Sequence, residues 1–201
     1  MFNSNECEIK IISRKECLDF IKLYHYQPGL PAVTWNYGIF YNGIIIGAIA
    51  FAPPSSPTIY KLFRGIFKKK TIFQLSKFAL SHLAPKNTGS YALSKCLKIF
   101  KKERPKIECI ITYCDMERGY KGTVFRAANW IDIGLSCKGG AQAYYHGRKR
   151  ITAREFNRFN NLNIKNHYRK EKRTIKIRYI YLFDRKIHDF LLELDSNSVK
   201  E

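Results

Sequence analysis

The chain has 201 residues, of which 45% are hydrophobic and 14% aromatic, which suits a folded domain with its own core and excludes an intrinsically disordered chain. It carries 36 Lys and Arg against 16 Asp and Glu, a formal net charge of +20 that predicts a polyanionic partner, nucleic acid in the first place. An anionic membrane surface and the residue bias of an AT-rich genome are the alternative explanations of this charge.

The N-terminal elements are predicted from local signals. Alternating charged and apolar residues predict a strand at Glu8–Ile12, and the capping-box pair Ser13 and Glu16 starts a helix that ends before Pro28. An Asn-Gly pair at 42–43 favours a type I′ turn between two further strands. These strands are Trp35–Phe40 and Ile44–Phe51.

The middle of the chain predicts a strand, a loop, a helix and a second strand. The first strand is Thr71–Leu80, and the helix ends before Pro105. A β-branched run at Ile107–Tyr113 is typical of a buried strand, and Cys114 and Asp115 follow it. The apolar face of the helix, at spacing i, i+3, i+4 and i+7, consists of Leu93, Cys96, Leu97 and Phe100.

The last third predicts short elements, in which Thr123 caps a helix and Tyr144–Ile151 forms a small hairpin. The other elements are strands at Ile131–Cys137 and Ile175–Phe183 and a helix at Ala153–Asn163. This order favours an α/β (α+β) fold of the GNAT acyltransferase type, a three-layer structure with a mixed, twisted central sheet and helices on both faces. We predict one domain over residues 1–190 and a flexible tail at 191–201.

The six cysteines include no C-x-x-C pair, and no secretory signal precedes Glu8. We therefore predict a cytoplasmic protein with reduced, mostly buried thiols and no metal site. Zinc at Cys109 and Cys114 is an alternative to simple packing. No apolar run has the length of a membrane span, and no membrane partner is predicted.

The loop before the second long helix is the first candidate site. A helix N-terminus presents free N–H groups and a positive dipole end, which bind phosphate well. Lys86 adds a charge, and Gly89 permits close approach of a backbone or ligand. An ordinary cap by Asn87 or Thr88 is the alternative. The predicted cofactor-binding residues are Lys86, Asn87, Thr88, Gly89 and Ser90.

The second candidate site is Asp115, because carboxyl ends of buried strands are where ligand sites gather. Its carboxylate suits a base or a group that orients an amine, and the alternative is a turn-capping role before Gly119. Lys77 interrupts an apolar strand, so it either points inward towards Asp115 or a phosphate, or outward into solvent. Tyr113 and Tyr120 are candidate general acids or structural tyrosines.

Basic residues interleave with aromatic ones, which predicts contacts to backbone phosphates and a stacking ring for an extruded base. A solvated charged face is the alternative. The candidate nucleic-acid-binding residues are Arg64, Lys68, Lys69, Lys70, Tyr145, Arg148, Lys149 and Arg150, and the interleaved rings include Phe63, Phe67, Tyr144 and Tyr168.

Most of the chain, from Tyr24 to about Arg150, resembles the Mom family of phage proteins. The matching motifs are Tyr37–Gly43, Leu75–Phe78, Pro85–Ser90, Ile111–Asp115 and Gly119–Trp130. The resemblance implies a GNAT-like transferase that converts adenine in double-stranded DNA to an N6-acetamido (methylcarbamoyl) derivative and so blocks restriction. It also implies a small-molecule donor, acetyl-CoA or another acyl-CoA-type compound, a metal requirement left open, and the cytoplasm of a bacterial host.

By position, the resemblance implies Asp115, Lys77, Ser90 and residue 125 as site positions. The family usually has Arg, His and Tyr where this chain has Lys77, Tyr120 and Phe125. Phe125 cannot transfer a proton, so either Tyr113 or Tyr120 replaces it or the chemistry differs. The alternatives are an N-acyltransferase acting on tRNA, a modified base or a protein amine, and a non-catalytic basic nucleic-acid-binding domain.

Overall fold

The structure is a computed structural model, and two compact units divide the chain. The described residues are 2–63, 65–136, 142–146, 149–151, 156, 168–172 and 174–184. Unit 1 comprises Met1–Thr112, Gly122–Ile133 and Tyr179–Glu201, and unit 2 comprises Tyr113–Lys121 and Gly134–Arg178. The sequence expectation of one domain over 1–190 stays a prediction, and the expected helix at Ala153–Asn163 and tail at 191–201 lie almost wholly outside the described residues.

Ten strands and four α-helices are described. The helices are α1 (Arg14–Tyr24), α2 (Thr58–Leu62), α3 (Thr88–Glu103) and α4 (Thr123–Ala127). The first five strands are β1 (Cys7–Ile11), β2 (Trp35–Tyr41), β3 (Ile44–Ala52), β4 (Ile72–Leu80) and β5 (Cys109–Asp115). The last five are β6 (Ile131–Leu135), β7 (Gln142–His146), β8 (Lys149–Ile151), β9 (Arg169–Lys172) and β10 (Lys176–Leu182).

The main sheet has seven strands in the order β1-β2-β3-β4-β5-β10-β6. Strands β1 to β4 form an antiparallel meander, and β4 pairs with β5 in parallel, so the sheet is mixed as predicted. The Asn-Gly turn between β2 and β3 is confirmed, because Asn42 and Gly43 have φ values of 49° and 76°. Strands β5, β6 and β10 are each divided between the two units.

Helix α1 covers one face of the unit 1 sheet. The capping box is present, since Ser13 Oγ accepts from Glu16 N–H and the Glu16 carboxylate accepts from Ser13 N–H. Burial of its apolar stripe then places Phe20 and Ile21 against the small side chains of the sheet. These small residues are Ala48, Ala50 and Ala79, and they let the helix approach closely.

Helix α3 covers the opposite face. All four residues of its predicted apolar stripe are fully buried. Phe100 stacks on Phe51 of β3 with ring centroids 4.2 Å apart, and the rings of Tyr37 and Phe73 meet it edge-on. The expected three-layer arrangement, a mixed sheet between helices, is therefore confirmed. None of the described helices is long and apolar enough to cross a membrane.

Unit 2 contains a three-stranded sheet of order β8-β7-β9. The predicted Tyr144–Ile151 hairpin is present, because Tyr144 pairs with Ile151 and His146 with Lys149. Strand β9, which pairs with the other side of β7, had no sequence signal, since it consists entirely of charged residues.

One capping prediction is wrong. The residue that precedes α4 as its cap is Gly122, with φ 69° and no side-chain cap, whereas Thr123 is the first helical residue. A Cβ at Gly122 would overlap the fully buried phenol of Tyr179. Tight packing of Tyr179 against the chain therefore requires glycine here.

We predict that Gly122→Ala destabilises the protein more than Gly119→Ala does. Both positions have φ near +70°, which costs a non-glycine residue about 1–2 kcal/mol. Only Gly122 adds the steric overlap with Tyr179, a further loss of about 1–3 kcal/mol, because Gly119 has open space around it. Urea denaturation of both variants measures the difference, and equal losses would contradict the packing argument.

Candidate functional site

The hydroxyl groups in the first turn of α3 donate to carbonyl oxygens of the loop that precedes the helix. Thr88 Oγ1 donates to the carbonyl oxygen of Pro85 at 2.7 Å, and Ser90 Oγ donates to that of Asn87 at 3.3 Å. Asn87 is the N-cap residue, as the alternative proposed, but it has φ 73° and its side chain makes no capping hydrogen bond. Within the described residues, the backbone N–H groups of Gly89 and Ser90 have no acceptor, which leaves them available to an anion.

Gly89 packs against the protein interior. A Cβ there would lie 3.2 Å from Leu80 Cδ1 and 3.4 Å from both γ-methyl groups of Val124 in α4. The glycine thus permits the close approach of two helices, whereas the sequence suggested the approach of a backbone or a ligand. Because this contact fixes the first turn of α3 against β4 and α4, it also fixes the position of the candidate site.

Strands β4 and β5 separate after only three paired positions. Among the described residues, their pairing runs from Ile72 with Cys109 to Gln74 with Ile111. At the next position along the strands, the Thr112 hydroxyl donates to the Leu75 carbonyl oxygen at 3.0 Å. The rest of β4, as far as Leu80, therefore has no β5 partner along this edge.

The separated edge of β4 offers backbone donors and acceptors. Ser81 N–H bonds to Ile46 O of β3, so strand alternation directs the backbone groups of Phe78 and Leu80 away from β3. An extended ligand with amide groups can pair with such an edge, as added strands do. This edge leads directly into the loop that ends at α3.

Lys77 lies on the face of the sheet that α1 covers, since it pairs with Ala50. Its Nζ donates to the carbonyl oxygen of Gln27, just beyond α1, at 3.0 Å. The side chain is half-buried, so it is neither fully inward nor a freely solvated strand residue.

Asp115 is the last residue of β5 and only 3% exposed. Within unit 2, Lys176 Nζ lies 3.5 Å from its Oδ2, and Thr174 Oγ1 donates to the same oxygen at 3.4 Å. Asp115 is the N-cap residue of a 3-10 helix (Met116–Arg118) that ends at Gly119, but its side chain makes no capping hydrogen bond there. A buried carboxylate supported by a cation and a hydroxyl is suited to orient an amine or accept its proton.

The candidate tyrosines differ in environment. Tyr120 is 52% exposed, and its carbonyl oxygen accepts from the Cys114 thiol at 3.4 Å, whereas Tyr113 is half-buried. Tyr37 is buried with its hydroxyl 2.7 Å from Glu103 Oε2. Burial and this hydrogen bond raise the pKa of Tyr37 far above its ordinary value, which gives it a structural role.

Phe125 lies in an aromatic cluster of unit 1. Its ring centroid is 5.3 Å from that of Tyr179 and 5.6 Å from that of Trp130. The Arg126 guanidinium donates to the Tyr179 hydroxyl at 2.9 Å. The buried phenol of Tyr179 thus packs beside Phe125, whose own ring has no hydroxyl.

The structure describes some of the basic residues that the sequence predicts to bind nucleic acid, and others lie outside the described residues. Lys68, Lys69 and Lys70 are exposed in unit 1, and Lys69 lies over the Tyr60 ring. Phe63 and Phe67, two of the predicted stacking rings, are buried against each other and are core residues. In unit 2, Tyr145 pairs in register with Arg150, whereas Arg64 and Arg148 lie outside the described residues.

The five described cysteines are buried and form no disulfide with one another. Burial raises the pKa of the Cys109 thiol, which disfavours the thiolate that zinc requires. No cluster of three or more His, Cys, Asp and Glu side chains occurs within the described part of the chain.

Lys176 and Thr174 are the residues that sequence reasoning missed, whereas Arg169 lies in the basic segment His167–Arg173, which the sequence singled out as a possible contact to nucleic acid. Lys176 and Thr174 lie about 60 positions after Asp115, and no local spacing connects them with it. Alternation in Ile175–Phe183 placed Lys176 on a strand without indicating its partner.

The sequence model of the Mom protein family matches residues 6–198. A methylcarbamoylase named mom, from Escherichia phage Mu, is 22% identical over 134 residues, which cover 66% of this chain and 56% of the phage protein. The match thus spans little more than half of that relative's length.

Solved acetyltransferase structures share the fold. A spermidine N-acetyltransferase variant from Vibrio cholerae has a TM-score of 0.55 at 9% identity, with 90% of this chain and 96% of that chain covered. An acetyltransferase from Bacillus subtilis in complex with CoA has a TM-score of 0.52 at 9% identity, with 89% and 99% covered. These likenesses confirm the predicted GNAT acyltransferase fold.

We predict that Asp115 and Lys176 are energetically coupled. A double-mutant cycle with Asp115→Asn and Lys176→Met should give a coupling energy of about 1 kcal/mol or more, since removal of one partner leaves a charge in a largely buried site. Urea denaturation of the four proteins measures it.

The matched control is the pair Lys22 and Asp19 on α1, 3.7 Å apart with both side chains more than half exposed. Their cycle should give about 0.5 kcal/mol or less. Equal coupling in both pairs would show that the burial of Asp115 adds nothing.

Proposed function

This chain belongs to the Mom protein family, and from that premise we propose that it transfers an acyl- or acetamido-type group to the N6 amine of adenine in double-stranded DNA. The observation that carries the proposal is the buried carboxylate of Asp115, which ends β5 and is supported by Lys176 and Thr174. The phage Mu relative is named a methylcarbamoylase, which supports the class of reaction.

The start of α3 and the edge of β4 form the proposed donor site. The N–H groups of Gly89 and Ser90, which have no acceptor in the part of the chain that the structure describes, suit a pyrophosphate, and Lys86 is an exposed cation in the same loop. The unpaired edge at Phe78 and Leu80 suits an arm that contains amides. Acetyl-CoA and related acyl-CoA compounds have both features and, when bound, would supply an acyl group at the thioester carbonyl carbon, with the CoA thiol as the leaving group. An acetamido product instead needs a new N–CH2 bond, and therefore a donor that carries a leaving group on that carbon.

Asp115 is the proposed acceptor-side residue. The N6 amine of adenine is a poor nucleophile, because its lone pair is delocalised into the ring. A carboxylate that accepts one N6 hydrogen orients the amine and receives its proton as the new bond forms. Lys176 holds that carboxylate in place and balances its charge, since it lies 3.5 Å away. Phe125 has no proton to give, so Tyr113 and Tyr120 are the candidate acids in this proposal.

Charge supports DNA as the partner. The net charge of +20 exceeds what solubility requires, and the exposed Lys68, Lys69 and Lys70 present three cations in consecutive positions. We propose that duplex DNA binds through such residues and that the target adenine is extruded from the stack, because its N6 is engaged in base pairing within the duplex.

We expect genomic DNA from bacteria that express the protein to contain a modified deoxyadenosine. Complete digestion to nucleosides followed by mass spectrometry detects it, and the added mass distinguishes an acetyl from an acetamido group. The Asp115→Asn variant keeps the shape of the side chain but removes the base, so the modified nucleoside should fall at least 100-fold.

The Lys22→Ala variant, which removes an exposed charge on α1, should leave the modification at the wild-type level. Circular dichroism confirms that each variant is folded. Unmodified DNA from folded, well-expressed wild-type protein would contradict the proposal, and tRNA nucleosides would then be measured.

We also expect acetyl-CoA to raise the melting temperature of the protein. A ligand at 100 times its Kd stabilises the folded state by about 2.7 kcal/mol. Lys86→Ala should weaken binding about 3- to 10-fold, because it removes a cation beside the proposed pyrophosphate site. Lys98→Ala is the matched control, since Lys98 is exposed about 15 Å further along α3. No shift with acetyl-CoA, CoA or other acyl-CoA compounds would contradict the donor site.

A further inference from the structure

Positive charge is concentrated in one part of unit 2. Residues 134–178 contain 13 Lys and Arg but only two acidic residues, Glu155 and Glu171. Their excess of +11 is more than half of the +20 of the whole chain, in fewer than a quarter of its residues. The sheet formed by β7, β8 and β9 belongs to this basic segment, so its described faces are the place to look for contacts to a polyanion.

One face of this sheet is covered by its own aromatic side chains. Tyr144 stacks on Phe156 with ring centroids 3.9 Å apart and planes 16° apart, and Tyr168 meets Phe156 edge-on at 5.8 Å. Lys170, which is paired in register with Tyr144, lies over the Phe156 ring at 5.5 Å. Phe156 is buried, so this face is a small core.

The opposite face carries a tyrosine and an arginine side by side. Tyr145 and Arg169 are register partners on β7 and β9, and the guanidinium carbon lies 5.3 Å from the ring centroid. Arg169 is 66% exposed and forms an ion pair with Glu171 at 2.9 Å. Strand alternation places all three on the face away from Phe156.

We propose that this face, defined by Tyr145, Arg169 and Glu171, is a DNA-docking surface in which Tyr145 stacks on an unstacked nucleobase and Arg169 binds the adjacent phosphate. The inference rests on the proposed function for the identity of the partner as DNA. An aromatic ring beside a guanidinium matches the alternation of base and phosphate along a strand. An anionic membrane would instead favour aliphatic side chains, and the described side chains of this face include none.

Removal of the Glu171 carboxylate should change DNA binding in a way that distinguishes a binding surface from a structural ion pair. In the free protein Glu171 neutralises Arg169, and a DNA phosphate must compete with it for the guanidinium. Removal of the carboxylate therefore frees Arg169 and also removes a repulsion of the phosphate. A surface that binds an acidic ligand should be improved by this change, whereas a purely structural ion pair should not.

The test is fluorescence anisotropy of the full-length protein with a labelled duplex that carries one mismatched, unstacked adenine. We expect Tyr145→Ala to weaken binding about 5- to 100-fold and Tyr145→Phe to bind like wild type, because stacking needs the ring alone. Arg169→Ala should weaken binding and lower the slope of log Kobs against log salt by about one phosphate contact. Glu171→Gln should tighten binding several-fold.

Lys22→Ala on α1 is the charge-matched control and should change affinity less than two-fold. Circular dichroism and thermal melts verify folding, and the Glu171→Gln variant is informative even if the alanine variants are unstable, since it predicts a gain. Wild-type affinity in the Tyr145, Arg169 and Glu171 variants, with wild type binding the duplex well, would overturn this inference and leave the proposed function intact. Failure of wild type to bind duplex DNA at all would overturn both.

Discussion

The stack of Phe100 on Phe51, with ring centroids 4.2 Å apart and nearly parallel planes, is the contact on which the rest of unit 1 depends. It seats the C-terminal half of α3 on the sheet, and the surrounding rings of Tyr37 and Phe73 hold it from the sides. At the other end of α3, Gly89 meets Leu80 and Val124 without an intervening side chain. A helix fixed at both ends presents its first turn in one orientation, which is what an anion site made of backbone N–H groups requires.

The separation of β4 from β5 is the second constraint. Continuous pairing would satisfy every backbone group of β4 internally, and nothing would remain for a ligand. The Thr112 hydroxyl ends the pairing at Leu75, so the edge beyond it remains unpaired within the described structure. The same strand β5 then ends at Asp115, whose burial is compensated in unit 2 by Lys176 and Thr174. The sheet thus combines a conventional core with an incomplete ladder at the position where chemistry is expected.

The small sheet of unit 2 also combines a buried face with a face that remains available for binding. It buries Phe156 on one face and keeps Tyr145 and Arg169 on the other. An amphipathic sheet of this kind gains its stability from one side and leaves the other for binding.

Local signals predicted much of the fold. The capping box at Ser13, the Asn-Gly turn at 42–43 and the helical stripe that includes Leu97 are all present, because each depends on residues within one or two turns of the chain. The misassignment of two aromatic rings has a long-range cause. Phe63 and Phe67 read as stacking rings beside Lys68, yet burial places them in the core, and only long-range packing decides which face of a segment is covered.

The sequence by itself determined the charge, the order of elements, the acidic residue at the end of β5 and the family resemblance, since these are properties of composition, periodicity and motif. The tertiary structure alone decided that Lys176 and Thr174 meet Asp115, that Gly89 packs on Val124 and that Arg169 lies beside Tyr145. Each of these contacts joins residues 24 to 61 positions apart. Strand register and helix packing bring such residues together, and a sequence pattern read in a local window contains no information about either.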